Sequence, residues 1–276
     1  MKPFQIVFLS VLLFQAFSAT AQLRDSLRKP TPYPYIREAD VMWSKKVWEV
    51  IDLREKMNQD LYYPLTDLTK RRSLFDIIKD GVLPAEDSKQ VPLTAFSGDE
   101  NEFKKRLTRR ELQQIFSKTD TISMPDPLNP DVYVQKVVQE ELGPSDVKQY
   151  WIQEEYVFDK QRSVLDIRIT AIMPVIEKKN EKGDAEGMAA TCWVSFPELR
   201  QLLIRNYVFN RHNDAHLLTY DDLFVKHMFS GYIIREDNTA DRMIADYKGA
   251  GTLDALLEAE AIKDGIRVKE SDMWQH

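Results

Sequence analysis

The chain has 276 residues, 43% of them hydrophobic, with 44 acidic and 38 basic residues and a net charge of −6. This is enough apolar sequence for a globular core, and the single cysteine excludes an intramolecular disulfide. An acidic balance disfavours phosphate-rich partners, so no nucleic-acid partner is expected. Two short basic runs, Lys70–Arg72 and Lys104–Arg110, are bracketed by acids and are interpreted as solvated helix faces.

The first residues have the composition of a secretory signal. The segment MKPFQIVFLSVLLFQAFSATAQ combines a basic start, a short apolar run and the small-residue pattern Ala19-Thr20-Ala21. We therefore expect residues 1–21 to be a signal peptide that is removed on export, and the mature chain to lie outside the cytoplasm.

Residues 22–39 are rich in proline and tyrosine. In the segment PTPYPY, three prolines alternate with Thr31, Tyr33 and Tyr35. Because proline fixes φ and blocks helix formation, this pattern predicts an extended arm. Two fates stay open for its aromatic side chains: packing on the chain's own domain, or docking onto a neighbouring molecule.

Residues 40–276 are predicted to form one α+β domain. Its N-terminal part is predicted to be helical, with helices over VWEVIDLREKMN, after Ser73 and after Thr108. The segments KQYWIQEEYVFDK and SVLDIRITAIMPV then alternate with period 2, and MAATCWVSF is a further candidate strand. A central antiparallel sheet of about three strands is therefore expected.

A helical C-terminal part is predicted to follow the sheet. Its helix starts are marked by residues that favour the first turn or the N-cap: Pro197, Thr219, Thr239 and Thr252. The prolines of TDTISMPDPLNPD indicate a loop between the first helices and the sheet, with a subdomain break near residues 119–131 as the alternative to one continuous domain.

Two charged residues interrupt apolar faces in these predicted elements. Arg54 falls in the apolar face of the predicted first helix, and Glu154 lies on the apolar face of its strand. Since a buried charge is costly unless it is paired, one hypothesis pairs Arg54 with Glu154 or, failing that, with Asp166 or another inward-facing acid. The other places Arg54 in a protein interface with Trp43 and Trp48, because Arg and Trp are enriched in binding hot spots.

The signals for catalysis or metal binding are weak. The motif RHNDAH spaces His212 and His216 like two zinc ligands, with His227 as a possible third ligand eleven residues further on. The metalloprotease pattern, however, needs a glutamate directly after the first histidine, where Asn213 stands. Cys192 lies in an apolar strand pattern, which is typical of a buried thiol. No glycine-rich phosphate loop or serine elbow is present. We expect no catalytic residue, no metal and no cofactor.

The order of several sequence blocks resembles the GldN/PorN family of gliding-motility and type IX secretion proteins. The blocks span nearly the whole mature chain, from Asp40 to Trp274, and are MWSKKVWEVIDLREKMNQDLYYP, SLFDII, EEYVFDKQRSVLDIRITAIMPV, FPELRQLLIRNYVFNRHNDAHLLTYDDLFVKHMFSGYIIRED, DRMIADY and a closing MW.

This resemblance implies a non-enzymatic structural subunit in the periplasm, peripheral to the inner face of the outer membrane. It implies many copies assembled into a large ring with an outer-membrane lipoprotein of the GldK/PorK type. It also implies coupling, direct or indirect, to inner-membrane motor proteins of the GldL/GldM type. In this setting the arm from Leu23 to Ile36 is predicted to dock onto the next ring subunit or the lipoprotein.

Two other functional classes stay open at this point. A periplasmic glycan- or peptidoglycan-binding module would need exposed aromatic side chains, and the chain has 11 tyrosines and 5 tryptophans. A periplasmic hydrolase would need a metal ion on the histidines of RHNDAH.

Overall fold

The computed structural model describes residues 28–66, 71–98, 103–125, 133–179, 185–208, 217–240 and 242–274. Its helices and strands are, in chain order, β1 (Val41–Asp52), α1 (Gln59–Tyr62), α2 (Leu74–Val82), β2 (Ala95–Ser97), α3 (Arg109–Ile115), β3 (Ser117–Pro125), β4 (Tyr133–Glu141), β5 (Val147–Asp159), β6 (Val164–Lys179), β7 (Ala185–Ala190), β8 (Cys192–Ser195), α4 (Phe196–Leu203), β9 (Tyr207–Val208), β10 (Leu218–Thr219), α5 (Tyr220–Val225), β11 (Tyr232–Glu236), α6 (Ile244–Lys248) and α7 (Leu253–Met273). Single turns of 3-10 helix cover Glu38–Asp40, Lys56–Asn58 and Pro144–Asp146.

A seven-stranded antiparallel sheet organises the fold. Its order is β11-β1-β5-β6-β8-β2, and β7 pairs with β6 beside β8. The predicted β5–β6 hairpin is confirmed. The fold is α+β, but the expected sheet of about three strands is wrong, and the helices are spread along the chain instead of lying only before and after the sheet.

The predicted first helix is in fact the strand β1. The first six residues of β1 alternate between exposed and partly buried positions, whereas Val47–Asp52 are buried throughout. At Val47–Asp52, β1 lies between β11 and β5, and both faces of the sheet are covered. A strand that is buried on both faces carries apolar residues in a continuous run instead of at every second position. The apolar residues of this run coincided with the spacing of an amphipathic helix. The β-branched and aromatic content of this segment was the signal that favoured a strand.

The capping signals located several helices correctly. Hydroxyl side chains accept hydrogen bonds from first-turn amides at the starts of α2, α3, α5 and α7, as predicted for Ser73, Thr108, Thr219 and Thr252. Such a cap satisfies a backbone N–H that has no partner within its own helix. The helix expected after Thr239 is shorter than predicted, since α6 begins only at Ile244.

Two segments differ from their predicted local structure. The start of the expected loop is the strand β3, which pairs with β4 in a separate two-stranded sheet. Residues 126–132 lie outside the described residues, so the subdomain break near residues 119–131 stays a prediction. The basic run Lys104–Arg110 is only partly helical, because its residues 105–107 pair with β2.

Helices cover one face of the sheet in two places. The main core lies under α2, α4 and α5 and includes Phe75, Tyr150, Phe196 and Phe224. A second cluster lies between α7 and the strands β1 and β11 and includes Val47, Ile233, Ala259 and Ile266. The opposite face carries a third cluster, built around Trp48, Met173 and Trp193. Within the described ranges, no helix is both long and apolar enough to cross a membrane.

Candidate functional site

The described part of the arm packs on its own domain. The Tyr33 ring lies between two guanidinium groups, 4.9 Å from that of Arg200 and 5.9 Å from that of Arg168. Arg168 also donates a 2.6 Å hydrogen bond to the carbonyl of Pro34. These contacts match the first of the two fates considered for the arm. Docking of the same segment on a neighbouring molecule stays a prediction, and residues 22–27 lie outside the described residues.

Arg54 does not pair with Glu154. It follows the end of β1 with its side chain 75% exposed, and it contacts Asp52 at 2.6 Å. The hydrogen bonds from Arg54 hold the pKa of the Asp52 carboxyl below its usual range. The buried-pair hypothesis failed because it rested on a helix that does not exist: on a strand, Arg54 lies beyond the buried segment and points to solvent.

The other predicted interface residues differ in how much of their side chain is exposed. Trp48 is buried under the guanidinium of Arg235, which lies 3.8 Å from its ring, and Trp43 is half-buried against α7. Tyr35 is 89% exposed. Of the six candidates, only Arg54 and Tyr35 keep most of their surface available for a partner, and that role stays a prediction.

Glu154 is buried as predicted, but its partner is a histidine from another part of the chain. One carboxylate oxygen lies 3.1 Å from Nε2 of His227, and the other accepts a 3.2 Å hydrogen bond from the hydroxyl of Tyr156. The Glu154 side chain is only 1% exposed. Both carboxylate oxygens therefore have a partner, as a buried charge requires.

A second acid and a lysine complete this buried cluster. Glu49 on β1 is 8% exposed and pairs with Lys263 of α7 at 2.8 Å. The same ammonium donates a 2.7 Å hydrogen bond to the carbonyl of Gly231. We call Glu49, Glu154, His227 and Lys263 the acid–histidine cluster. It joins the central strands to the C-terminal helix.

His227 adopts a backbone conformation that normally favours glycine. Its φ is +49°, and it directly follows the last turn of α5, where its amide bonds to Phe224 and the next amide bonds to Leu223. This is the Schellman arrangement, in which the left-handed position is most often Gly. A histidine there carries a steric cost of about 1–2 kcal/mol, which the contact with Glu154 offsets.

The electrostatics of the cluster favour protonated His227. Burial by itself lowers the pKa of His227, but the hydrogen bond and charge of Glu154 outweigh it, so that the pKa is raised above its ordinary value. Burial and then the charge of Glu154 raise the pKa of Glu49, and Lys263 opposes that change. Two acids close together are thus compensated by two cations.

A separate buried ion pair lies under the arm. Arg200 on α4 and Asp221 on α5 are 5% and 8% exposed, and two hydrogen bonds of 2.6 and 3.1 Å join them in a bidentate arrangement. The Tyr33 ring rests on the Arg200 guanidinium. We call these three residues the arm clamp. It fixes the two helices and the arm to one another.

The described residues contain little that points to catalysis. Burial raises the pKa of the Cys192 thiol to about 12, which is the behaviour of an inert structural cysteine. Among the described residues, no group of three or more His, Cys, Asp or Glu side chains is arranged to hold a metal ion. The RHNDAH motif with His212 and His216 lies outside the described residues.

The C-terminal helix has a second apolar face that the fold leaves uncovered. At about 100° per residue, the buried residues Ala259, Ile266 and Met273 share one side of α7. Leu253, Leu257 and Val268 project to the opposite side and are 71%, 59% and 60% exposed. Next to the start of this face, a pocket of about 490 Å³ is lined by residues of β11, α6 and α7, with Asp52 and Arg54 also in its wall. An exposed apolar patch of this kind is typical of an interaction surface.

Sequence analysis missed most of these residues for a common reason. Lys263, Arg200 and Asp221 lie in ordinary polar positions of helices, and His227 was considered only as a possible third zinc ligand. Their roles depend on partners that are 21 residues away for Arg200 and 73 residues away for His227. The one signal that the sequence did offer was the low amphipathicity of α7, which carries apolar side chains on opposite sides.

Comparison with known proteins identifies the family. Residues 36–275 match the family described as gliding motility associated protein GldN. A comparison with curated proteins gives no match. The family match covers far more than half of the chain and includes every element of the fold. The chain therefore belongs to the GldN family of gliding-motility-associated proteins.

Proposed function

We propose that the chain is a non-enzymatic structural subunit of a large periplasmic ring that is required for type IX protein secretion and gliding motility. In this proposal residues 1–21 direct export, and the mature chain assembles with itself and with an outer-membrane lipoprotein of the GldK/PorK type. Inner-membrane motor proteins of the GldL/GldM type act on the ring directly or indirectly. Membership of the GldN family supports the link to gliding motility.

The observation that carries the structural role is the uncovered apolar face of α7. Leu253, Leu256 and Leu257 are at least half exposed, and burying one such side chain contributes about 1.5–3 kcal/mol. Aliphatic side chains offer a glycan neither a stacking surface nor hydrogen bonds, so this face suits a protein better than a peptidoglycan partner.

The test is the native mass of the tagged chain after gentle extraction from cell envelopes, with its co-purifying proteins identified. We expect a particle in the megadalton range that contains an outer-membrane lipoprotein. A particle close to the 32.3 kDa of the chain would contradict the ring. Retention on isolated cell-wall sacculi without protein partners would instead favour the binding-module alternative.

A further inference from the structure

We propose that the outer face of α7 binds a basic amphipathic helix of a different protein. The outer face is the exposed half of α7, opposite the buried residues Ala259, Ile266 and Met273. The proposal rests on the proposed function, because it names the kind of partner that a structural subunit would hold at this uncovered apolar surface.

Apolar side chains run along the outer face with helical spacing. At about 100° per residue, Leu253, Leu257, Ala261 and Val268 fall within about 80° of one another. The two leucines are 71% and 59% exposed and Val268 is 60% exposed. Leu256, which is half exposed, lies between this row and the pocket of about 490 Å³. The row is therefore a continuous apolar surface with a cavity at its start.

The shape of the row favours a helix as the occupant. At 1.5 Å per residue, it extends over roughly 22 Å from Leu253 to Val268. Its middle is open, because Ala261 is small and a Cβ added at Gly265 would meet no atom within 4 Å. Side chains spaced three to four residues apart form a ridge that fits the groove of a second helix. Contacts of this kind are how amphipathic helices bind their partners.

The charged residues of the outer face are mostly acidic. Arg267 is the base on this face, and it lies 3.4 Å from Glu260 and 2.9 Å from Asp264. One guanidinium shared by two carboxylates neutralises one negative charge. Four exposed acids less this one base leave an excess of three negative charges; the acids are Asp254, Glu260, Asp264 and Asp272.

The residues that border the outer face do not cancel this excess. Glu258 is neutralised by Lys248 at 3.3 Å. Lys269 is exposed beside the face and adds one positive charge. Two negative charges therefore stay in excess along the apolar row. A partner helix that carries Lys and Arg beside its apolar residues is electrostatically complementary to this surface.

A second copy of the chain is a poor occupant. Two outer faces brought together would oppose like charges, which is unfavourable across an interface. The basic run Lys104–Arg110 has five basic residues, but four acids flank it and leave a net charge of +1; they are Asp99, Glu100, Glu102 and Glu111. The charges therefore favour a different protein.

A membrane surface is a poor occupant for a similar reason. Helices that lie on membranes carry Lys and Arg beside their apolar face, where anionic headgroups attract them. The apolar row of α7 has acids in these positions, and anionic headgroups would repel them. The outer face thus has the composition of a protein-binding surface with an apolar centre and a charged rim.

The experiment is photocross-linking in living cells from benzoylphenylalanine placed at Leu257, which is 59% exposed. Mass spectrometry of the product identifies the cross-linked segment. We expect this segment to belong to a different protein, to have a net positive charge and to space its apolar residues three or four apart. The same photoreactive residue at Lys160, which is exposed in the β5–β6 turn, is the matched site and should not give this product.

Charge reversal tests the complementarity. Adding Glu260→Lys and Asp264→Lys to the photoreactive chain should reduce the product by about fivefold or more. Both acids are more than 60% exposed, so the fold should tolerate the change. The control is Glu86→Lys with Asp87→Lys, an equal change of charge at another exposed site, which should alter the yield by about twofold or less.

Reversal of the partner's charges completes the test. Replacing Lys and Arg residues of the identified segment by Glu should restore the product with the charge-reversed helix. Restoration also shows that the loss did not come from misfolding of α7. An equal loss in the Glu86 and Asp87 control would mean a general effect of net charge and would overturn the inference.

The outcomes separate this inference from the proposed function. Cross-links from Leu257 to another copy of the chain, to lipid or to a segment without positive charge overturn it, and so does the absence of any product. A large native particle together with one of these results leaves the ring in place. A particle close to 32.3 kDa that still gives the basic partner would overturn the ring and leave the outer face assigned.

Discussion

The arm clamp and the acid–histidine cluster attach opposite ends of the chain to the domain by different chemistry: the first holds the arm to two helices, and the second holds the C-terminal helix to the sheet. In the arm clamp, a guanidinium that is always charged meets one carboxylate in a bidentate pair. In the acid–histidine cluster, two carboxylates share an imidazole and an ammonium, and the pKa of the imidazole is raised above its ordinary value by the hydrogen bond and charge of Glu154. The first attachment is therefore fixed in charge, and the second depends on pH.

The difference matters for the two termini. The arm is held by fixed charges and one aromatic ring, so its position responds little to solution conditions. The C-terminal helix, which carries the exposed leucines, is anchored at the acid–histidine cluster, whose net charge changes when His227 gains or loses a proton. Substitutions at four positions, together with the pH dependence of stability, test this difference between the two attachments.

The largest effect is expected from breaking the pair in the arm clamp. Asp221→Ala leaves Arg200 buried without its counter-charge, which costs about 3–5 kcal/mol of unfolding free energy. Urea denaturation at pH 7 measures it. The control is a chain with Arg200→Met and Asp221→Leu together, which should recover most of the loss because no charge is left unpaired. A loss below about 1 kcal/mol for Asp221→Ala would show that the pair is not buried in solution.

A smaller loss is expected from Glu154→Gln in the acid–histidine cluster. We expect about 1–3 kcal/mol, because His227 can release its proton and because Glu49 no longer faces a second negative charge. The neighbouring Glu155→Gln serves as the matched control and should change stability by about 0.5 kcal/mol or less. Equal losses in the two variants, measured by urea denaturation, would contradict a specific role for Glu154.

The pH dependence of stability should separate the two attachments. The pKa of His227 is raised in the folded protein, so its pairing with Glu154 stabilises the fold most at low pH. This contribution is complete below the unfolded pKa of about 6.5 and is lost as pH rises through the folded pKa. The pKa of Glu49 is also raised, so this group likewise makes the fold less stable as pH rises. Lys263 and the neighbouring Tyr156 are the other titratable groups at this site. Between pH 5 and 8 the melting temperature of the parent should therefore fall.

Substitution of His227 should flatten this slope. In His227→Gln the contribution of His227 disappears while that of Glu49 remains, so the slope should become shallower than in the parent without vanishing. His227→Gly should flatten the slope equally but melt at a higher temperature than His227→Gln, since glycine tolerates the positive φ. Thermal melts across the pH series provide the measurement, and identical slopes in parent and variants would rule out the cluster as the source.

The smallest effect is expected from releasing the arm. Tyr33→Ala removes the ring between Arg168 and Arg200, and contacts of this kind contribute about 0.5–1 kcal/mol at partly exposed sites. Limited trypsin digestion should then cleave faster after Arg37. Tyr35→Ala, which removes an exposed ring, is the matched control and should digest like the parent. Unchanged cleavage of the Tyr33→Ala chain would mean that the Arg168 contact with Pro34 holds the arm alone.

The sequence by itself was sufficient for features that depend on near neighbours. The caps at Ser73, Thr108, Thr219 and Thr252 need only the next three residues, and the β5–β6 hairpin needs two alternating segments and a turn. The family was also evident from the sequence, because the resemblance is carried by the order of several sequence blocks along the chain. Burial of Glu154 followed from its place on an apolar face.

Features that depend on neighbours in space could not be read from the sequence. Whether Val47–Asp52 is a strand or a helix rests on β11 and β5 lying on either side of it, and burial on both faces removes the period that would have shown this. The partner of Glu154 is 73 residues away, so the order of strands, and not local pattern, selects His227 over Arg54.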